Sequence, residues 1–225
     1  MASTTCEESE EDGKRASGAT THETNEVQRG RDDEGNTYVN QYVVTRSLGR
    51  GYFGKVKLCC DTTTKRVYAL KIVKRGTGRR AAEMMSPLAM EIAIMKKLAH
   101  PNVVRLVEVM DDPDDEKLYL VMEYIANGPI STVHADGSGA TLPVATCLSY
   151  ARDILLWLDY LHLNSIVHRD IKPDNLLATA SGAVKITDFG VSSVLKAGEE
   201  LVETAVSRNI LDNVTCIVVA LDIQP

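Results

Sequence analysis

At 225 residues, 44% hydrophobic and 25% charged, the chain is long enough for one large domain or for two lobes around a cleft. No run of about eighteen apolar residues occurs, so a transmembrane helix is not expected. The formal charge of −6 is accounted for by residues 1–37, with ten acidic and four basic side chains, and the balanced remainder offers no basic surface for nucleic acid.

Residues 1–37 are rich in Glu, Asp, Ser, Thr and Gly and nearly lack large apolar side chains. Such a segment does not offset its ordering entropy, and a disordered acidic tail is expected. Its first residues, Met1 to Glu11, hold no apolar segment of the signal-peptide kind. The cysteines (Cys6, Cys59, Cys60, Cys147 and Cys216) are scattered without a C-x-x-C pair. Both features point to a reducing, cytoplasmic location without membrane attachment.

Order is expected from Tyr42. Tyr42-Val43-Val44 leads into a glycine cluster, Lys55 to Leu58 alternates polar and apolar, and Val67 to Val73 reads as a further strand beyond the turn Asp61 to Thr64. Short turns between the three imply an antiparallel sheet. A helix is expected after Pro87, with Leu88, Ile92, Met95 and Ala99 as its apolar stripe. His100-Pro101-Asn102 ends it, because proline disfavours helical geometry in the residue before it. Val103 to Met110 and Lys117 to Tyr124 are strand-like around an acidic turn, completing five strands. Residues 127–143 read as a connecting loop. The helix 146–162 that follows carries Leu148, Ala151, Leu155, Leu158 and His162 on one stripe, widened by Ile154, Trp157 and Leu161, and is expected to be buried.

Three groups of residues carry chemistry. Gly49-Arg50-Gly51-Tyr52-Phe53-Gly54-Lys55-Val56 is a G-x-G-x-x-G-x-V run. Glycines there let backbone N–H groups approach phosphate oxygens. Dinucleotide-binding folds use a similar string, but there the glycines open a helix, whereas here they lie between two strands. Lys71 lies on the third strand, and Glu91 on the helix offers the fixed carboxylate that a phosphate-facing lysine needs. Surface lysines and helix glutamates are ordinarily solvated, so the pairing gains its meaning from the glycine run. The third group is His168-Arg169-Asp170-Ile171-Lys172-Pro173-Asp174-Asn175 followed by Asp188-Phe189-Gly190. Asp170 offers a base for a hydroxyl proton, and Asn175 and Asp188 offer hard oxygens suited to Mg2+.

With these motifs in this order the chain resembles the eukaryotic protein kinases over about residues 42–206. The resemblance implies an α+β fold with an antiparallel N-lobe (42–126) and a helical C-lobe (127–206). It further implies that Gly49, Gly51 and Gly54 cover the ATP phosphates. Lys71 would contact the α- and β-phosphates while pairing with Glu91, Asp170 would be the base, and Asn175 and Asp188 would hold magnesium. Lys172 is similar to the lysine of the serine/threonine class that approaches the γ-phosphate. Val56, Ala69 and Leu177 would sandwich the adenine with Met122 behind it, and main-chain groups of Glu123 and Ile125 would bond its edge.

A narrower resemblance, carried by Met122 to Pro129, the basic insert after Lys74 and Asp111-Asp112-Pro113, is to the calcium/calmodulin-dependent protein kinase kinases and to kinases that activate AMP-activated-type kinases. It implies a protein substrate that is itself a kinase. No calmodulin-target helix is visible in this chain.

The resemblance ends early. Through Glu203 to Val206 the chain reads like the start of an activation loop, with Thr204 as a candidate phosphosite. From Ser207 it does not, and no Ala-Pro-Glu occurs. The sequence therefore reads as a C-terminally truncated kinase domain with an atypical segment over 207–225. The alternative function is a non-catalytic form that binds nucleotide or partners.

Overall fold

The computed structural model describes residues 20–50, 54–75, 79–130 and 142–194. Contacts divide the chain into one unit of residues up to 99 with 104–124, and another of residues 100–103 with those from 125 onward.

In the first unit the strands are β1 (His22–Thr24), β2 (Arg29–Arg31), β3 (Thr37–Val39), β4 (Tyr42–Arg50), β5 (Gly54–Asp61), β6 (Val67–Lys74), β7 (Leu106–Met110) and β8 (Lys117–Glu123). They form one sheet in the order β1-β7-β8-β6-β5-β4-β3-β2, antiparallel except where β1 joins β7 in parallel. Helix α1 (Arg79–Lys97) joins β6 to β7.

Side chains alternate across a strand, so the register decides what each face holds. Leu70 opposes Val121 and Ile72 opposes Tyr119 on β8, and these pairs join Val39, Tyr42, Val44, Cys59 and Met110 in one apolar core. The opposite face carries Ala69 against Met122, Lys71 against Leu120 and Val73 against Leu118. Strand β6 is thus apolar on both sides, with Leu70 fully buried. Burying one such leucine stabilises the fold by about 1.5–3 kcal/mol.

Three expectations need correction here. Residues 20–37 are not featureless, since β1, β2 and the start of β3 lie there, and the sheet has eight strands where five were expected. Ordering comes from main-chain pairing with β7 and β4, which composition does not report. Helix α1 begins at Arg79, with Pro87 inside it. Its buried face is Leu88, Glu91, Ile92, Ile94 and Met95, while just beyond its end Leu98 is buried and Ala99 exposed.

The second unit holds α2 (Val144–Leu163), β9 (Ile166–Val167), a 3-10 turn (Pro173–Asn175), β10 (Leu176–Ala178), β11 (Val184–Ile186) and β12 (Ser193–Val194). Two antiparallel pairs form, β10 with β11 and β9 with β12. Helix α2 buries Ile154, Trp157 and Leu161. Leu148 and Leu155, on the stripe expected to be buried, are exposed. Two apolar stripes competed, and the one bearing the tryptophan took the interior.

Gly54 shows one constraint of strand packing. A Cβ there would lie 2.0 Å from the Ile72 carbonyl oxygen on β6. Gly54→Ala is expected to destabilise the chain by about 1–3 kcal/mol through this overpacking. A lower urea midpoint at unchanged m-value would report it, and an unmoved midpoint would show that the strand pair absorbs a methyl group freely.

Candidate active site

In the first unit the alternation of β6 sends Lys71 to the face on which Ala69, Val56 and Met122 also lie, since Val56 opposes Lys71 and Ala69 opposes Met122. Lys71 Nζ donates to Glu91 Oε1 of α1 at 2.6 Å, with side chains only 4% and 1% exposed. Breaking such a pair leaves a buried charge uncompensated, which costs about 3–5 kcal/mol. The aliphatic stem of the lysine and the apolar pairs around it exclude water from the contact.

The glycine run is described only in part. Gly51 lies outside the described residues. Gly49 on β4 has nothing within 4 Å of where a Cβ would stand, so the space beside it is open. Arg46 on the same strand donates to the Tyr124 hydroxyl at 2.8 Å. The Glu123 N–H is committed to the Arg105 carbonyl at 3.0 Å, so that N–H is not the group that would meet an adenine edge.

In the second unit the segment from His168 to Asn175 runs from β9 to β10. Lys172 Nζ donates to Asp170 Oδ2 at 2.6 Å. The Asn175 amide nitrogen donates to the same oxygen at 2.9 Å and to the Asp170 carbonyl at 2.8 Å. This bond to Asp170 is the main influence raising the Lys172 pKa above its ordinary value. Proline at the first position of the 3-10 turn suits its fixed φ and helps set Asn175 back toward Asp170. The Thr187 N–H donates to the Asn175 carbonyl at 3.0 Å, which brings the Asp188 segment alongside. Arg169 and Asp188 both hold left-handed backbone, with φ of 68° and 64°. Leu177, half-buried on β10, opposes Lys185. The Ile125 carbonyl accepts from the Gly128 N–H at 3.2 Å, so it is the N–H side of Ile125 that suits an acceptor on a base.

His168 organises this unit, a role that its sequence position did not convey. Burial drives its pKa down to about 4, so the ring is neutral. Its Nε2 lies 3.2 Å from the Thr187 carbonyl, which only accepts, so Nε2 carries the proton. Nδ1 then accepts from the Asp170 N–H at 3.3 Å. Phe189 packs edge-on at 4.9 Å between ring centroids, and Trp157 of α2 lies at 6.0 Å. Ser192 donates its hydroxyl to the His168 carbonyl, and Arg169 bonds the Ser193 hydroxyl. Asn102, read from sequence only as part of a helix stop, fixes β11 twice. Its side chain donates to the Val184 carbonyl and its carbonyl accepts from Ile186 N–H, each at 2.8 Å. The Asp153 carboxylate of α2 accepts from Val184 N–H at 2.8 Å. A histidine or asparagine beside proline was the visible signal, but its partners are more than eighty residues away for Asn102.

Among the described residues no helix is long and apolar enough to cross a membrane, and no group of three or more His, Cys, Asp or Glu side chains gathers as a metal site.

Residues 42–211 match the family model described as protein kinase domain, five residues beyond the limit expected from the motifs. The chain is 46% identical over 171 residues to serine/threonine-protein kinase ssp1 of Schizosaccharomyces pombe, covering 73% of this chain and 26% of that protein. It is 43% identical over 175 residues to the calcium/calmodulin-dependent protein kinase kinase of Caenorhabditis elegans, covering 68% and 32%. It is 40% identical over 170 residues to SNF1-activating kinase 1 of Saccharomyces cerevisiae, covering 68% and 15%. The chain thus spans a third or less of each of these relatives.

The neutral His168 gives the second unit a pH dependence. Its folded pKa, about 4, lies below the ordinary 6.5, so the unfolded chain binds the proton more readily. Stability is complete above about pH 6.5 and falls as pH drops toward 4, by about 3 kcal/mol in total for this group. Urea unfolding followed by the single Trp157 should show this loss, and His168→Gln should flatten it between pH 6.5 and 4. An equal slope in the variant would assign the acid sensitivity to other groups.

Proposed function

We propose that this chain, which belongs to the protein kinase family, binds ATP with Mg2+ and transfers the γ-phosphoryl group to serine or threonine hydroxyls of a protein that is itself a kinase. The observation that carries the reading is the arrangement around Asp170. Its Oδ2 receives both Lys172 Nζ and Asn175 Nδ2, which leaves Oδ1 to accept the proton of an incoming hydroxyl. As the hydroxyl oxygen attacks, Lys172, held at Asp170, is the cation that would offset the charge of the γ-phosphoryl group. The bond to the leaving β-phosphate oxygen breaks, and ADP departs.

The donor set suits the ion. Because the Asn175 amide nitrogen is spent on Asp170, its oxygen is the atom available to a cation, and Asp188 adds a carboxylate. Mg2+ is ordinarily held by one or two such oxygens together with substrate phosphates and water. When bound it would neutralise phosphate charge. In the first unit Lys71, pinned by Glu91, supplies a fixed cation for the α- and β-phosphates, and the open space at Gly49 accommodates phosphate oxygens close to the backbone. Val56, Ala69 and Met122 give one apolar sheet face for the adenine. The preference for a kinase as substrate rests on the names of two relatives, a protein kinase kinase and an SNF1-activating kinase.

The test is phosphoryl transfer from ATP by the full chain to a catalytically dead kinase of the AMP-activated type. Asp170→Asn should lower turnover by about 10²–10⁴-fold while leaving nucleotide affinity within a few-fold. Nucleotide binding without turnover in the unmodified chain would overturn the catalytic reading in favour of the binding-only alternative.

A further inference from the structure

Residues 21–28 do something that the proposed chemistry does not require. They lie along the outer edge of the first unit's sheet. His22, Glu23 and Thr24 oppose Glu108, Val109 and Met110 in the one parallel pairing of the sheet. The Thr24 carbonyl accepts from the Asp111 N–H at 2.8 Å, and the Thr21 hydroxyl donates to the Leu106 carbonyl at 3.2 Å. Val27 packs on the apolar core, and its N–H donates to Asp112 Oδ2 at 3.0 Å. From this edge Glu23 reaches α1, where its carboxylate meets Lys96 Nζ at 2.8 Å. Lys96 stands five positions beyond Glu91 on the same helix. A cleft of about 290 Å3 between the segment and α1 is lined by Glu23, Asn25, Ile92, Lys96, Val109 and Leu118.

The centre of the attachment is sensitive to charge. The Thr24 hydroxyl donates to Glu108 Oε1 at 2.5 Å, and Glu108 is buried. Its other oxygen accepts from the Tyr42 hydroxyl at 2.7 Å, and that phenol has its pKa pushed up by burial and by the Glu108 contact. The buried carboxylate is therefore matched by hydroxyl donors, one of them from the segment. A group at Thr24 that cannot donate and brings negative charge meets Glu108 head-on.

We propose that residues 21–28 are an intramolecular latch that holds α1 to the sheet edge, and that phosphorylation of Thr24 opens it. The inference does not rest on the activity proposed above. Thr24 is half-buried on an edge strand of three residues, which opens locally at small cost and then presents its hydroxyl. A serine/threonine kinase with ATP supplies the group. The Thr24 Oγ1–phosphorus bond forms, the bond from the γ-phosphorus to ADP breaks, and the hydroxyl proton passes to that kinase's base. Re-docking would then place a dianion against the Glu108 carboxylate, so the segment stays off and α1 loses its Glu23–Lys96 tie.

The experiment is hydrogen exchange on the full chain carrying phosphothreonine at position 24, introduced during synthesis. Asp111 N–H and the last turn of α1 should exchange at least about tenfold faster than in the unmodified chain, with Ile186 N–H in the second unit unchanged. Unchanged exchange at Asp111 would overturn the latch, and equal loss at Ile186 would overturn it too, because a latch opens locally. A second arm needs no phosphate. Glu23→Lys should speed exchange in the last turn of α1 by about twofold or more, and Glu23→Lys with Lys96→Glu should restore it. Failure of the double exchange to restore protection would remove α1 from the proposal.

Discussion

Two opposite charges, on Lys71 and Glu91, meet inside a sheet-and-helix layer that is otherwise aliphatic. Withdrawing each from water costs several kcal/mol, and their mutual contact offsets it. That constraint fixes much of the first unit. Lys71 must lie on a central strand so that neighbours on both sides seal its stem, and β5 and β8 supply them. Glu91 must lie on an otherwise apolar helical face, between Leu88 and Ile94. Sheet register, helix rotation and the α1 contact are therefore one problem with one solution, and a slip of one residue in β6 would send the lysine into the apolar core.

The second unit solves the converse problem. At its centre is a titratable ring kept uncharged, because burial outweighs the Asp170 and Asp188 carboxylates that favour its charged form. The neutral tautomer lets one imidazole donate to Thr187 and accept from Asp170, tying the Asp170 main chain to the segment before Asp188. A lysine there would need a carboxylate, and a glutamine would reproduce only part of the geometry. One unit thus centres on a buried ion pair and the other on a buried neutral ring.

Most of this was legible where side-chain period and motif agreed. The strands around Lys55 to Leu58 and Val67 to Val73 alternate clearly, and the lysine–glutamate pairing followed from their neighbours. The chain was less legible where local sequence carries no signal. Strands β1 to β3 are three residues each, too short for a period to show, with β1 and β2 polar throughout, and they are specified by the partners they meet. Helix α2 offered two leucine-rich stripes of similar breadth, and the choice between them depends on where Trp157 finds His168 and β11. Pro87 looked like a helix start because proline suits a first turn, but it lies within α1. The roles of Asn102 and Asp153 depend on β11 strands far along the chain, which no local window contains.

Arg169 and Asp188 hold left-handed backbone without being glycine. Each non-glycine residue in that conformation costs about 1–2 kcal/mol. The described chain therefore carries strain next to its proposed base and at its proposed cation ligand, as it also does at Asn40, Lys65 and Ser165 away from them. An engineer seeking thermal robustness by the usual relief, glycine at strained sites, would find Lys65 and Ser165 open to it but Asp188 closed, because its carboxylate belongs to the proposed chemistry. Durability and chemistry compete at Asp188, so stabilising changes of this kind are better sought at the turns remote from it.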